Sequence, residues 1–104
     1  MAYGITIRVT APVEMYDAVH REIQARAGTE VDGLHVHIAR PTEDGFEVIE
    51  VWESRDRYEH YNRELVAPLM AEMAGGAAPP PGGGQQVEEF EVRGLVIPRG
   101  GVSL

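Results

Sequence analysis

The 104-residue sequence contains no cysteine and no lysine, and it has only two serines. Without cysteine the chain has no disulfide, no thiolate nucleophile and no zinc–thiolate site. Without lysine it lacks the amine that Schiff-base enzymes, pyridoxal phosphate enzymes and P-loops require. Neither Ser54 nor Ser103 lies in a Gly-x-Ser-x-Gly turn, and no Gly-x-Gly-x-x-Gly turn follows the first predicted strand. These absences exclude several common enzyme classes.

Positive charge and long apolar runs are also scarce. Asp and Glu total 17 against 9 basic residues, which sets the net charge at -8 and the pI near 4.9. Nucleic acids and anionic membranes bind positively charged surfaces, so neither is an expected partner. No run approaches the roughly 20 apolar residues of a membrane span, and the start shows no signal-peptide pattern. We therefore expect a soluble, cytoplasmic protein.

Hydrophobic periodicity predicts four strands and two helices. A helix is expected from Pro12 to about Ala27, and a second follows the predicted N-cap Ser54 and is expected to kink near Pro68. Alternation with a period of two predicts strands over residues 3–10, 33–40, 46–53 and 87–97. The resulting order, β-α-β-β-α-β, is that of the ferredoxin-like α+β fold.

This order predicts one domain over residues 1–104, with an antiparallel sheet and both helices on one face. The other face is left for solvent or a partner. Residues 74–86 are rich in Pro and Gly and are expected to form a flexible loop, and residues 98–104 a loose tail. Gly94 is expected to mark a bulge in the last strand.

The segment Val48–Ser54, followed by an amphipathic helix with Tyr58, Tyr61 and Pro68, resembles the dimeric α+β barrel superfamily. The most similar branch is the antibiotic biosynthesis monooxygenase-like domains. This superfamily includes cofactor-free oxygenases, polyketide cyclases, lactone isomerases, haem-degrading enzymes and proteins with no known reaction. The resemblance covers most of the chain and is more specific for the fold than for an activity.

The resemblance implies a homodimer whose two sheets face each other, with a cavity in each subunit between its sheet and its helices. Trp52 matches the tryptophan at the end of the third strand in such families. In the haem-degrading members that tryptophan works with an Asn of the first strand and a His of the helix. This chain has no Asn in its first strand and offers Tyr61, beside His60, near the helical position.

Histidines supply the candidate acid–base chemistry. His35 and His37 alternate along the second strand, a spacing that can present two imidazoles to one metal ion. With no evident third ligand, we predict no metal site, and His35 is taken as a substrate-binding candidate. His37 is the candidate catalytic acid or base because imidazole titrates near neutral pH. His20, on the flank of the first helix, is a second substrate-binding candidate.

Three aromatic residues complete the candidate site. Tyr61 is the second catalytic candidate, as a hydrogen-bond partner whose hydroxyl orients a phenol or enolate, whereas Trp52 and Tyr58 are substrate-binding candidates that line the cavity. Aromatics at helical spacing are more often core residues, and that interpretation stays open for all three.

The leading functional hypothesis is a cofactor-independent enzyme that oxygenates, cyclises or isomerises a small apolar aromatic or polyketide-like compound. The alternative is a non-catalytic ligand-binding or accessory dimer of the same fold. The residues do not identify the substrate.

Overall fold

The computed structural model describes residues 2–28, 31–73 and 85–96. Along the chain it contains the strand β1 (Tyr3–Val9), the helix α1 (Val13–Ala27), and the strands β2 (Leu34–Pro41) and β3 (Phe46–Trp52). The helix α2 (Arg55–Tyr61), a π-helical segment (Asn62–Val66), the helix α3 (Ala67–Met73) and the strand β4 (Gln85–Glu91) follow. The predicted first three strands agree with the structure to within one residue at each end.

The four strands form one antiparallel sheet in the order β2-β3-β1-β4. The first strand therefore lies in the interior, between β3 and β4, as the ferredoxin-like order requires. The predicted fold class is confirmed.

Both helical regions pack on the same face of this sheet. The ring of Tyr16 on α1 lies 5.5 Å from that of Phe46, and the ring of Tyr58 on α2 lies 5.7 Å from that of Trp52. Phe46 and Trp52 occupy even-numbered positions of β3, and alternate residues of a strand share a face. Trp52 is fully buried, as are Ile5 of β1 and Leu69 of α3, so this face carries the core.

The opposite, helix-free face carries a mixture of charged and apolar side chains. Glu47 is almost fully buried there between Arg8 of β1 and Arg40 of β2, each of which donates to it over 2.9 Å. Phe90 of β4 lies over Gly4, where an added Cβ would come within 2.3 Å of its ring. Ile38 and Phe90 remain exposed on this side of the protomer.

A bulge in β2 corrects the predicted faces of this strand. Alternation along the sequence predicts Leu34, Val36 and Ile38 on one face of β2. In the structure, however, Leu34 pairs with Trp52 and Val36 pairs with Val51. One step along β3 therefore corresponds to two steps along β2, and Leu34 lies on the opposite face from Val36 and Ile38. His35 is the extra residue, and it is exposed.

The predicted irregularity of the second helix is a π-helical segment just before Pro68. A proline ring clashes with the carbonyl four residues earlier, here that of Glu64, and proline cannot donate a helical hydrogen bond. The wider turn over Asn62–Val66 separates α2 from α3 without ending the helix.

The last strand begins earlier and ends earlier than predicted. Gln85 and Gln86, assigned to the loop by the sequence, pair with Val9 and Arg8, and the strand ends at Glu91. Gly94 lies beyond it, so the predicted bulge at Gly94 is wrong. Most of the predicted 74–86 loop and the whole 98–104 tail lie outside the described residues. Within the described ranges, no helix has the length and apolarity needed to span a membrane.

Candidate active site

Five side chains on the helix-covered face form one continuous series of hydrogen bonds. Trp52 Nε1 donates to Glu50 Oε1 over 3.2 Å, and Glu50 Oε2 lies 2.7 Å from His37 Nδ1. His37 Nε2 lies 2.7 Å from the hydroxyl of Tyr16, which lies 3.2 Å from His20 Nδ1. We call these five residues the polar chain.

Strand register and helical spacing position the polar chain. His37 of β2 lies directly opposite Glu50 of β3, so their side chains emerge side by side on the same face. Trp52 shares this face because it lies two residues after Glu50. Tyr16 and His20 are four residues apart on α1 and therefore neighbours on the helix surface.

Ring packing reinforces this arrangement. The imidazoles of His20 and His37 are nearly parallel, 5.6 Å apart, and both stack beside the ring of Tyr16. At the other end, the indole of Trp52 lies 5.0 Å from the ring of Tyr61 and 5.7 Å from that of Tyr58. The polar chain is thus bounded by aromatic rings at both ends.

Hydrogen-bonding chemistry determines where the protons lie. A carboxylate only accepts, so His37 Nδ1 carries the proton in its bond to Glu50. In neutral His37, Nε2 is then a lone pair and accepts the single hydroxyl proton of Tyr16. The oxygen of Tyr16 in turn accepts from His20 Nδ1.

Glu50 is the most enclosed ionisable member of the polar chain. Its side chain is 7% exposed and that of His37 is 27% exposed, so the carboxylate lies beneath the imidazole. A buried carboxylate bonded to one imidazole nitrogen fixes the ring orientation and stabilises the imidazolium, as in catalytic triads. The arrangement can therefore accept a proton at the imidazole and hold the resulting charge.

The tyrosines around Glu50 are held in the neutral form. Burial, with the nearby carboxylates of Glu50 and Asp17, raises the pKa of Tyr16 to about 12. Burial is also the main cause that raises the pKa of Tyr61, with further contributions from Glu50 and Tyr16. Both phenols therefore act as hydrogen-bond donors at neutral pH.

Three solved structures illustrate what the chain resembles. A protein of unknown function from Nitrosomonas europaea is 18% identical, with a TM-score of 0.65, over 95% of this chain and 96% of that one. SnoaB, a cofactor-independent oxygenase from Streptomyces nogalater, is 14% identical, with a TM-score of 0.56, over 94% and 96%. A variant of MhuD, the haem degrader of Mycobacterium tuberculosis, is 25% identical, with a TM-score of 0.54, over 92% and 98%.

The chain has the fold of the antibiotic biosynthesis monooxygenase-like proteins. The match extends over nearly the whole length of both chains, which confirms the resemblance found in the sequence. No protein-family model matches the chain, and no curated protein does either.

Within this monooxygenase-like fold, the structure brings together most of the predicted site residues. His37 and His20 are joined through Tyr16, and Trp52 is joined to His37 through Glu50. The aromatic candidates Tyr58 and Tyr61 pack on the indole of Trp52. His35 does not share this site, because the bulge in β2 leaves it exposed outside the polar chain.

Sequence reasoning missed two members of the polar chain, Glu50 and Tyr16. The signal for Glu50 was present: it interrupts the apolar face of β3 between Val48 and Trp52, where a carboxylate needs a buried partner. The signal for Tyr16 was its spacing of four residues from His20. Tyr16 also shares one helical face with Val19 and Ile23, a position that is typical of a core residue.

Proposed function

We propose that the protein is a small enzyme that removes a proton from an apolar, aromatic or polyketide-like compound. Oxygenation, cyclisation or isomerisation of the resulting anion would follow. The observation that carries the proposal is the bond between His37 Nδ1 and the buried Glu50 carboxylate, only 2.7 Å long, beside a stacked phenol. Such pairing is typical of general acid–base centres.

The pair of His37 and Glu50 serves as the base of the site. A carbon acid activated by a neighbouring phenol or carbonyl loses a proton to give a resonance-stabilised anion. The proton comes to rest on His37, where the carboxylate of Glu50 balances the new charge. The substrate anion then reacts with dioxygen, or with another group of its own molecule.

The aromatic side of the site suits a flat, apolar substrate. The rings of Tyr61 and Tyr58 are only half-buried and lie 5.0 and 5.7 Å from the fully buried indole of Trp52, which supports them from below. Aromatic ligands gain from such packing in addition to the burial of their area. In this proposal Tyr61 also orients the substrate with its neutral hydroxyl. His20 contacts the substrate from the side of α1.

We further propose that the reaction needs no bound cofactor. His37 itself is poorly suited to ligate haem, since both of its ring nitrogens are bonded to protein groups and neither remains for an iron. The part of the chain that the structure describes contains no cluster of three or more metal-ligating His, Cys, Asp or Glu residues. Visible absorption and metal analysis of the purified protein test this; a Soret band or one equivalent of metal would contradict it.

The helix-free face of the sheet supports the proposal of a homodimer. Ile38 is 52% exposed and Phe90 is 39% exposed there, next to the charged group of Arg8, Glu47 and Arg40. A second copy of the chain would cover this mixed surface with a sheet of the same kind. Light scattering at micromolar concentration should give twice the 11.4 kDa chain mass; the mass of one chain would contradict the proposal.

Binding can be tested first, because Trp52 is the only tryptophan in the chain and lies in the site. Its fluorescence should change when polycyclic phenols or quinones bind, and the same titration with aliphatic acids should give no change. Compounds that bind are then incubated in air and under nitrogen, with oxygen uptake and product formation followed together. Product formed only with oxygen uptake identifies oxygenation, and product formed under nitrogen identifies cyclisation or isomerisation.

The decisive variant is His37→Ala, with His60→Ala as the matched control because His60 is an exposed histidine of α2. We expect His37→Ala to lower kcat by roughly 10²–10⁴-fold and His60→Ala to leave it unchanged. Binding without turnover in the parent protein would contradict catalysis and favour the ligand-binding dimer instead.

A further inference from the structure

His37 is central to the polar chain, but neither of its ring nitrogens is open to a substrate. Nδ1 is bonded to Glu50 and Nε2 to the hydroxyl of Tyr16, both over 2.7 Å. A base whose lone pair already accepts a phenolic proton cannot take a second proton directly. Any proton that reaches His37 must arrive through Tyr16.

We infer that Tyr16 is the catalytic residue that exchanges the proton with the substrate, and that His37 and Glu50 act behind it as an internal base. This inference rests on the proposed function and assigns the order of the groups within it. The arrangement parallels a catalytic triad in its logic, with a carboxylate, an imidazole and a hydroxyl in series.

The proton count of the step is balanced. As the substrate C–H bond breaks, its proton forms a new bond to Tyr16 Oη, and the original hydroxyl proton of Tyr16 passes to His37 Nε2. The electron pair of the C–H bond stays on the substrate as an anion. Tyr16 is neutral before and after, His37 becomes an imidazolium, and Glu50 remains its carboxylate partner. No oxidant or reductant takes part in this step.

The hydroxyl of Tyr16 has the capacity for this role. It donates its one proton to His37 and accepts one from His20 Nδ1, which leaves one lone pair of the oxygen unused by these bonds. The ionisable groups that face it are His20 and Asp17 from α1, His37 from β2, Glu50 from β3 and Tyr61 from α2. The carboxylates among them disfavour a free phenolate, so proton transfer must be concerted with transfer to His37.

His20 is a positioning residue in this scheme. Its Nδ1–H bond at 3.2 Å and its stacking on the ring of Tyr16 hold the phenol oxygen in place. A neutral imidazole in water prefers to carry its proton on Nε2. A proton on Nδ1 of His20 would therefore be direct evidence for its hydrogen bond to the hydroxyl of Tyr16.

The kinetic test compares Tyr16→Phe with Tyr3→Phe, a control whose hydroxyl interacts with Glu89 rather than with the polar chain. Tyr16→Phe should lower kcat by roughly 10²–10⁴-fold with little change in KM. The double variant Tyr16→Phe/His37→Ala should be no slower than His37→Ala, because residues that act as a unit are not additive. A Tyr16→Phe protein that keeps the parent kcat while His37→Ala loses it would overturn the inference.

A second readout needs no substrate. Ring-nitrogen NMR of the parent near neutral pH should show protonated Nδ1 on both His37 and His20, and Tyr16→Phe should return His20 to the Nε2–H form. His20 in the Nε2–H form in the parent would overturn the inference. If the tautomers are as expected but no compound is turned over, the proposed function fails together with the catalytic role of Tyr16, and only the hydrogen-bond order stands.

Discussion

Glu47 and Glu50 lie on the same strand, β3, and each is only 6% exposed, but they face opposite sides of the sheet. Glu47 accepts from two guanidinium groups, those of Arg8 and Arg40, which tie β1 and β2 to the strand between them. Glu50 accepts from an imidazole and an indole. The two carboxylates are equally enclosed, and their partners differ in the ability to change charge.

The difference separates a structural carboxylate from a chemical one. A guanidinium remains charged at every physiological pH, so the group around Glu47 has one protonation state and serves to hold three strands together. An imidazole can hold either one or two ring protons, so the group around Glu50 can exist in two states that differ by a proton. Burial alone therefore does not identify a catalytic carboxylate, whereas the chemistry of its partner does.

The largest effect is expected from the matched variants Glu50→Gln and Glu47→Gln. Glu50→Gln removes the charge that stabilises the His37 imidazolium, and kcat should fall by roughly 10²–10⁴-fold. Glu47→Gln lies on the other face and should leave kcat within about threefold of the parent. Steady-state kinetics on a compound turned over by the parent measures both, and equal losses in the two variants would abolish the distinction.

The next largest effect is expected in stability, because truncating a side chain should cost more on the helix-covered face than on the helix-free face. Ile5→Ala empties a site that is 1% exposed on the helix-covered face, and the free energy of unfolding should fall by about 2–5 kcal/mol. Ile38→Ala, at a site that is 52% exposed on the helix-free face of the protomer, should cost about 0.5 kcal/mol in protein diluted until the proposed dimer has dissociated. Urea unfolding measures both, and comparable costs would show that the core is shared between the faces.

The contribution of Glu47 and its two arginine partners to the free energy of unfolding should depend on pH in the acid range. Hydrogen bonds from Arg40 and Arg8 hold the pKa of Glu47 below its ordinary value of 4.5. Its contribution is therefore present at neutral pH and is lost as the pH falls through the lowered pKa. The stability difference between the parent and Glu47→Gln should shrink on acidification in a series of urea titrations; a difference that grows would contradict this account.

The smallest effect lies at alkaline pH. The pKa of Tyr16 is raised from 10.0 to about 12 in the folded chain, so unfolding between these values releases a proton. The free energy of unfolding should therefore decrease as the pH rises through that interval. The decrease should be shallower in Tyr16→Phe than in the parent, and equal slopes would contradict the raised pKa.

The sequence predicted the fold well because its signals are local. Alternation in β1 and β3 and helical spacing in α1 gave the elements to within a few residues, and their order gave the ferredoxin-like arrangement. The errors arose where pairing between strands, rather than the local hydrophobic pattern, determines the structure. The bulge of β2 depends on the register with β3, and the early start of β4 depends on pairing with Val9 and Arg8.

The site was less accessible to sequence reasoning, for a physical reason. His37, Glu50 and Tyr16 lie on three different elements. The register of β2 with β3 and the packing of α1 on the sheet bring Glu50 and the hydroxyl of Tyr16 each within 2.7 Å of a ring nitrogen of His37. His35 appeared equivalent to His37 by alternation, because one extra residue in a strand leaves no mark in composition. Two signals were present in the sequence: Glu50 is a carboxylate on an apolar strand face, and Tyr16 lies four residues from His20.

The most direct test of the contrast between the two carboxylates is the tautomer of His37 in three proteins. Ring-nitrogen NMR should find the proton on Nδ1 in the parent and in Glu47→Gln, because that nitrogen is bonded to Glu50 and Glu47 lies on the opposite face of the sheet. In Glu50→Gln the preference for Nδ1 should weaken or be lost, since a neutral amide accepts less strongly than a carboxylate. A His37 that carries its proton on Nε2 in the parent, or one that is the same in all three proteins, would contradict the account.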